Sequence, residues 1–165
     1  MHKQEMFTSV TNFLVILVVL AGLIYLGLKF INPSKYLNKT RDQQRISDLA
    51  KIQTALDLYI ADNKNFDKLK FNQIYDSASN QTGLDGSGWL PLNLLSASVP
   101  MPISFLPVDP LNKDGFYYQI GVNPQAKTYE IDCRLESADY STKAKNDGGN
   151  NLDFYEIGSD LSILK

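Results

Sequence analysis

The sequence is poor in the side chains that most enzymes work with. Its only histidine is His2 and its only cysteine is Cys133. A lone histidine removes most acid–base and imidazole–metal chemistry. A lone cysteine excludes an intramolecular disulfide and a cysteine cluster for zinc. No glycine-rich phosphate loop follows a strand pattern anywhere in the chain. An excess of basic residues is also missing: acidic side chains outnumber them from Asp109 onward, and the formal net charge is -2. That leaves no electrostatic footprint for a phosphate backbone, so nucleic acid is not expected as a partner. The tyrosines at 117, 118, 129, 140 and 155 are read as strand formers rather than as a base-stacking platform. None of this supports an enzyme.

Charge is missing altogether from "FLVILVVLAGLIYLGL", Phe13 to Leu28. Phe30 and Ile31 extend the run past Lys29, whose stem can snorkel to headgroups. At 1.5 Å per residue Phe13 to Ile31 covers ~28 Å, close to the ~30 Å hydrocarbon thickness of a bilayer. A transmembrane helix is expected here, with membrane lipid as its partner. A cleaved signal peptide is the competing reading, but its apolar part runs ~7 to 15 residues and ends at small residues, which "LKFINPSKY" lacks. Residues 1–31 are thus expected to form an N-terminal segment and membrane helix, and residues 32–165 a head. Lys29, Lys35, Lys39 and Arg41 crowd the distal flank, so the positive-inside rule alone would place that head in the cytoplasm.

Pro33 lacks an amide donor and restricts Asn32, so a kink or restart is expected at Asn32 to Ser34. Beyond it Ile46, Leu49, Ile52, Leu56, Tyr59 and Ile60 recur at three- and four-residue spacing, which predicts an amphipathic helix over 34–63. Asn63 is the expected end. Arg41, Asp42, Arg45, Asp48 and Lys51 could form a solvated, self-paired face or contact neighbouring subunits; both readings stand at this point.

The remainder predicts a small antiparallel sheet. "FYYQIGV" from Phe116 and "TYEIDCRL" from Thr128 alternate with period two around the turn "NPQAK". Tyr129, Ile131, Cys133 and Leu135 should face a core, with Glu130, Asp132, Arg134 and Glu136 in water. A third strand is expected in "LDFYEIG", Leu152 to Gly158. "SASNQTGLDGSGW" reads as a surface loop anchored by Trp89. The prolines of "PMPISFLPVDPLN" should keep that stretch extended. Asp109 is expected to cap its local turn, and Cys133 to be a buried small hydrophobe. A striped helix laid on such a sheet makes an α+β architecture.

This order of parts resembles the type IV pilin and pseudopilin superfamily, in particular proteins similar to the major pseudopilin of type II secretion. The resemblance is carried by "KYLNKTRDQQRISDLAKIQTALDLYIADN" directly after an apolar helix, by "LPVDPLN" at Leu106 to Asn112, and by "GFYYQI" and "YEIDCRLES". It implies one continuous N-terminal helix, half in the membrane and half packed on a C-terminal antiparallel sheet. It also implies an extracytoplasmic head and a structural role in a pilus-like or pseudopilus filament at the cell surface. The partners would be other pilin-like subunits, as a homo- or hetero-oligomer, and the assembly machinery of the inner membrane. Phe13, Leu17, Leu20, Ile46, Leu49, Ile52 and Leu56 would be the assembly residues of the helix. Phe7 stands where the mature chain of such proteins begins. Met6 occupies the place of their glycine before the cut, and Thr11 that of their glutamate. The second reading is therefore an uncleaved single-pass protein whose head binds a ligand, in adhesion or DNA uptake.

Relatives of the major pseudopilin bind calcium in a loop near the C-terminus. "NDGGNNLDFYEIGSD" supplies Asp147, Asn150, Asn151, Asp153, Glu156 and Asp160, oxygen donors of the kind calcium takes. Asp147, Asn151 and Asp153 are the candidate ligands. The same residue types are ordinary turn formers, so a metal loop and a plain turn both stand here.

Overall fold

The computed structural model describes the backbone of residues 2–30 and 32–164 and the side chains of 12–27 and 32–164. Two long helices come first, α1 (His2–Phe30) and α2 (Pro33–Ala61). Four strands follow, β1 (Tyr75–Asp76), β2 (Gln119–Asn123), β3 (Thr128–Cys133) and β4 (Tyr155–Gly158), with a short helix α3 (Ser141–Lys145) between β3 and β4. The protein is α+β, and its sheet is wholly antiparallel in the order β1-β2-β3-β4. The chain divides into two compact units, Met1–Leu37 and Asn38–Lys165.

In the first unit every described side chain of α1 is exposed, Phe13, Leu17 and Leu20 included. Among the described residues no helix is long and apolar enough to cross a membrane. The 28–31 end of the span expected from the sequence lies outside the described side chains. Asn32 is not helical, so the single continuous helix implied by the resemblance is two helices. The cause is local. Lys35 donates its amide to Asn32 Oδ1 at 3.3 Å and to the Asn32 carbonyl at 3.1 Å. Asn32 is thus the N-cap of a new helix, with Pro33 in the first position, where its missing amide costs nothing.

At its other end α2 closes as its sequence leads one to expect. Asn63 takes a left-handed φ of 58°; its amide donates to Ile60 O, and the Lys64 amide to Tyr59 O. Together these form a Schellman closure that satisfies the last carbonyls. Leu49, Ile52, Leu56 and Tyr59 enter one core with Phe66, Trp89, Leu90, Leu106, Tyr118, Ile120, Val122, Tyr129, Ile131 and Cys133. Leu49, Ile52 and Leu56 are completely buried. They are spent in the chain's own core, so the lateral contacts expected of them have no exposed surface to use. Ile46 is only half buried.

The hairpin of β2 and β3 pairs Ile120 with Ile131 and Val122 with Tyr129, so the predicted apolar face forms. The opposite face departs from expectation. Glu130 and Asp132 are buried, not wet, because the 146–151 loop and the C-terminal tail lie over them. Leu164 and Ile163 occupy the space above Gly121, where a Cβ would come within 2.7 and 2.8 Å of their side chains. Trp89 does anchor its loop: it is buried and donates its indole N–H to Pro107 O at 2.9 Å. The proline-rich stretch has no regular structure, and Leu106 within it is a fully buried plug.

Candidate functional site

Two groups of buried charge stand out in the second unit. The first is centred on Arg45, whose guanidinium is entirely buried. It makes a two-pronged ion pair with Asp109, Nε to Oδ2 at 2.7 Å and Nη2 to Oδ1 at 3.0 Å. Nη1 donates to Asp42 Oδ1 at 2.8 Å and to Glu136 Oε2 at 2.7 Å. Phe116 lies under the guanidinium, 4.9 Å from its ring centre. Arg41 adds a second fork to Glu136, at 2.5 and 2.8 Å. The remaining acceptor capacity is used on backbone: Asp42 takes the amides of Glu136 and Ser137, and Asp109 those of Leu111 and Asn112. Asp109 is therefore the turn cap the sequence predicted and, beyond it, an ion-pair partner.

Burial lowers the Arg45 pKa, but the bonds to Asp109 and Glu136 outweigh it and raise the value above the usual arginine range. The bond from Arg41 holds the Glu136 carboxyl below its ordinary range. Asp42, Arg45 and Asp48 are buried within the chain itself, so neither a solvated face nor a contact with a neighbouring chain describes them. Asp48 accepts the Tyr118 hydroxyl at 3.1 Å, and Asp57 accepts that of Tyr129. These bonds tie α2 to the sheet. A fully paired network of this kind holds a geometry and offers no reactive atom.

The second group, unlike the first, holds no basic side chain among the described residues. Glu130 and Asp132 on β3 and Glu156 on β4 present carboxylate oxygens all within 4.8 Å of one another. The three residues are 0%, 3% and 1% exposed. Glu130 Oε2 accepts the amides of Ile163 and Leu164 at 2.7 and 2.8 Å, and Glu156 Oε2 accepts that of Asn151 at 3.0 Å. Glu130 Oε1, Asp132 Oδ1 and Glu156 Oε1 are buried without a hydrogen-bond partner. Asp147 stands beside them, accepting the Glu156 amide on Oδ2 and the Gly149 amide on Oδ1, both at 2.9 Å. Burial, then the charges of Glu130 and Glu156, a hydrogen bond shared with Glu130 and the charge of Asp147, push Asp132 up to about 9. Burial is also the main cause that pushes Glu156 up to about 7, helped by Glu130 and Asp147 and opposed by the Asn151 amide.

Of the residues singled out in the sequence, Asp147 and Glu156 meet at this cluster. Asn151 contributes its backbone amide there, while its Oδ1 accepts the amide of Asp153, which is exposed. Asn150 donates to Leu164 O, and Asp160 closes a turn on Ser162. Glu130 and Asp132 were missed because strand alternation assigns them to water. The signal available was two acids at i and i+2 on a strand whose neighbour also carries one. Cys133 is a free, buried thiol, its pKa raised chiefly by burial.

No protein-family model, curated protein or solved structure matches this chain.

Proposed function

We propose that the chain is a structural, non-enzymatic subunit of a type IV pilus-like or type II secretion pseudopilus filament, held in the membrane before assembly with its head outside the cytoplasm. The observation that carries this reading is the run of large apolar side chains on α1, exposed from Phe13 to Leu26. A contiguous apolar surface of this kind needs a cover. Membrane lipid would supply it before assembly, and sister helices of pilin-like subunits afterwards, with inner-membrane machinery moving the chain from one to the other. Only residues 31 and 32 separate α1 from α2, and α2 spends its inner face on the head. In such a subunit Phe13, Leu17 and Leu20 contact neighbouring helices, and any contact from α2 uses its outer side chains.

The test is to express the full chain in a cell carrying such machinery, extract membranes at alkaline pH, and image the sheared surface fraction. Retention in the membrane pellet together with filaments labelled by antibody to the head is expected. A chain released by alkali, with no labelled filaments, would overturn the proposal. Met6 and Thr11 favour the second reading, an uncleaved anchored binder. Intact mass separates the two, since a chain beginning at Phe7 supports the filament and one retaining Met1 the binder.

A further inference from the structure

We infer that Asp132 and Glu130 form a proton-operated latch: a proton held between them keeps the C-terminal tail seated on the sheet, and its loss in alkaline solution lets the tail lift. The inference does not depend on the filament reading.

The carboxylate oxygens of Glu130, Asp132 and Glu156 lie within 4.8 Å of one another, and all three residues are buried. Three full charges at that separation, cut off from water, repel strongly. Each acid also leaves one buried oxygen without a partner, although buried acceptors are normally satisfied. The cluster therefore has acceptors to spare and lacks donors. A carboxylic acid that keeps its proton is a donor. One proton on Asp132 removes a charge and gives Glu130 a bond at the same time, the arrangement expected where like carboxyl groups share a site. Burial and the neighbouring acids keep Asp132 on its proton through the neutral range, up to about 9.

The groups that act on Asp132 are Glu130 from its own strand, Glu156 from β4 and Asp147 from the loop after α3. All are acidic. Its partner on β2, Gln119, carries no charge, and Lys143 of α3 is turned onto the Tyr155 ring, 5.7 Å from its centre. The sign of the pH effect follows. The closed latch binds the Asp132 proton more tightly than an opened one, in which the solvated group returns to its ordinary value of about 3.9. Closure is fully supported below that value, weakens as pH rises, and loses this support through the folded value of about 9.

The tail hangs on the same carboxyl group. Glu130 Oε2 accepts the amides of Ile163 and Leu164 at 2.7 and 2.8 Å, and Asn150 adds one long bond to Leu164 O at 3.3 Å. Nearer the strand, Tyr129 O accepts the amides of Ser159 and Asp160 at 2.9 and 3.3 Å, so the part able to lift is 161–164. When Asp132 ionises, its new charge presses on Glu130 in a space without water. Glu130 relieves that pressure only by turning away from β3, and the two amides lose their acceptor.

The test is hydrogen exchange of the full chain in nonionic detergent micelles, with chelator present throughout so that only protons vary. The amides of Ile163 and Leu164 report the latch. Chemical exchange quickens ~tenfold per pH unit by itself, and an opening that releases one proton adds a further ~tenfold per unit. Between pH 6 and pH 8 the two amides are therefore expected to quicken ~100-fold per unit. Asp132→Asn keeps a donor toward Glu130 and has no proton to lose, so its amides should quicken only ~tenfold per unit. Asp153→Asn, at an exposed position, should keep the wild-type slope. Carboxyl-carbon NMR of the wild type gives a second reading that needs no variant to fold: the Asp132 signal should be that of the protonated acid at pH 6.5. The inference is overturned if the wild-type amides follow chemical exchange alone, if Asp132→Asn keeps the wild-type slope, if Asp153→Asn loses it, or if the Asp132 carbon already reports a carboxylate at pH 6.5.

Discussion

Arg45 brings together three stretches of chain that are far apart in sequence: its own helix, the Leu106–Asn112 turn through Asp109, and the segment after β3 through Glu136. Removing it leaves Asp42 and Asp109 as buried carboxylates with only backbone amides to answer them. Arg45→Met is expected to cost ~3–5 kcal/mol, the usual penalty for breaking one side of a buried ion pair. Arg41→Met, at a side chain still 24% exposed, should cost at most ~1 kcal/mol. Urea unfolding of the two variants against the wild type checks the difference, and equal losses would show that the network is not centred on Arg45. Glu136 supplies a pH signature. The bond from Arg41 lowers its folded pKa, so the native state binds its proton less readily than the unfolded chain does. Its contribution is present above the unfolded value and is lost as pH falls through the folded one. The stability difference between wild type and Glu136→Gln should therefore be largest at neutral pH and shrink on acidification below pH ~4.5. Urea midpoints from pH 7 to pH 3 measure it, and a difference constant over that range would refute the assignment.

Among the elements, α2 was readable at both ends and along its apolar stripe. Asn32 and Pro33 start it, Asn63 ends it, and the three- and four-residue spacing of Leu49, Ile52 and Leu56 places them in the core. The charged turns were misjudged for a physical reason. Positions 42 and 45 continue the phase of 49, 52, 56 and 59, so Asp42 and Arg45 lie on the buried face. Arg45 is admitted there because it pairs with Asp109, 64 residues away, and with Glu136 as well as with Asp42 on its own helix. Helical periodicity carries the phase but not the distant partner. The same limit applies to β3. Alternation put Tyr129, Ile131 and Cys133 on the core side, and they are there. It could not reveal that the tail would cover the opposite face, seated above Gly121 and hydrogen-bonded to Glu130. β1 escaped notice because Tyr75 and Asp76 are too few to show a period. Asp147 and Glu156 were legible as oxygen donors in a turn-rich loop, whereas their convergence on Glu130 and Asp132 is a property of the β3–β4 pairing.

For the molecule as a whole, the hydrophobic core, the Arg45 network and the carboxylate cluster all belong to the unit Asn38–Lys165. The described side chains of α1 are exposed and contribute nothing to that core, so removing them should take away little folding free energy. Their apolar surface should instead govern association, since exposed contiguous hydrophobic area is buried wherever a partner offers itself. A chain beginning at Asn32, which keeps the N-cap of α2, is expected to be monomeric without detergent and to unfold in one cooperative step. Its midpoint should lie within ~4 °C of that of the full chain in micelles, a shift equivalent to about 1 kcal/mol in a domain of this size. Size-exclusion chromatography with light scattering and thermal circular dichroism make the comparison. If the shortened chain aggregates or loses its cooperative transition, residues before Asn32 must take part in the core, and the division of labour between an apolar assembly helix and a self-sufficient head fails with it.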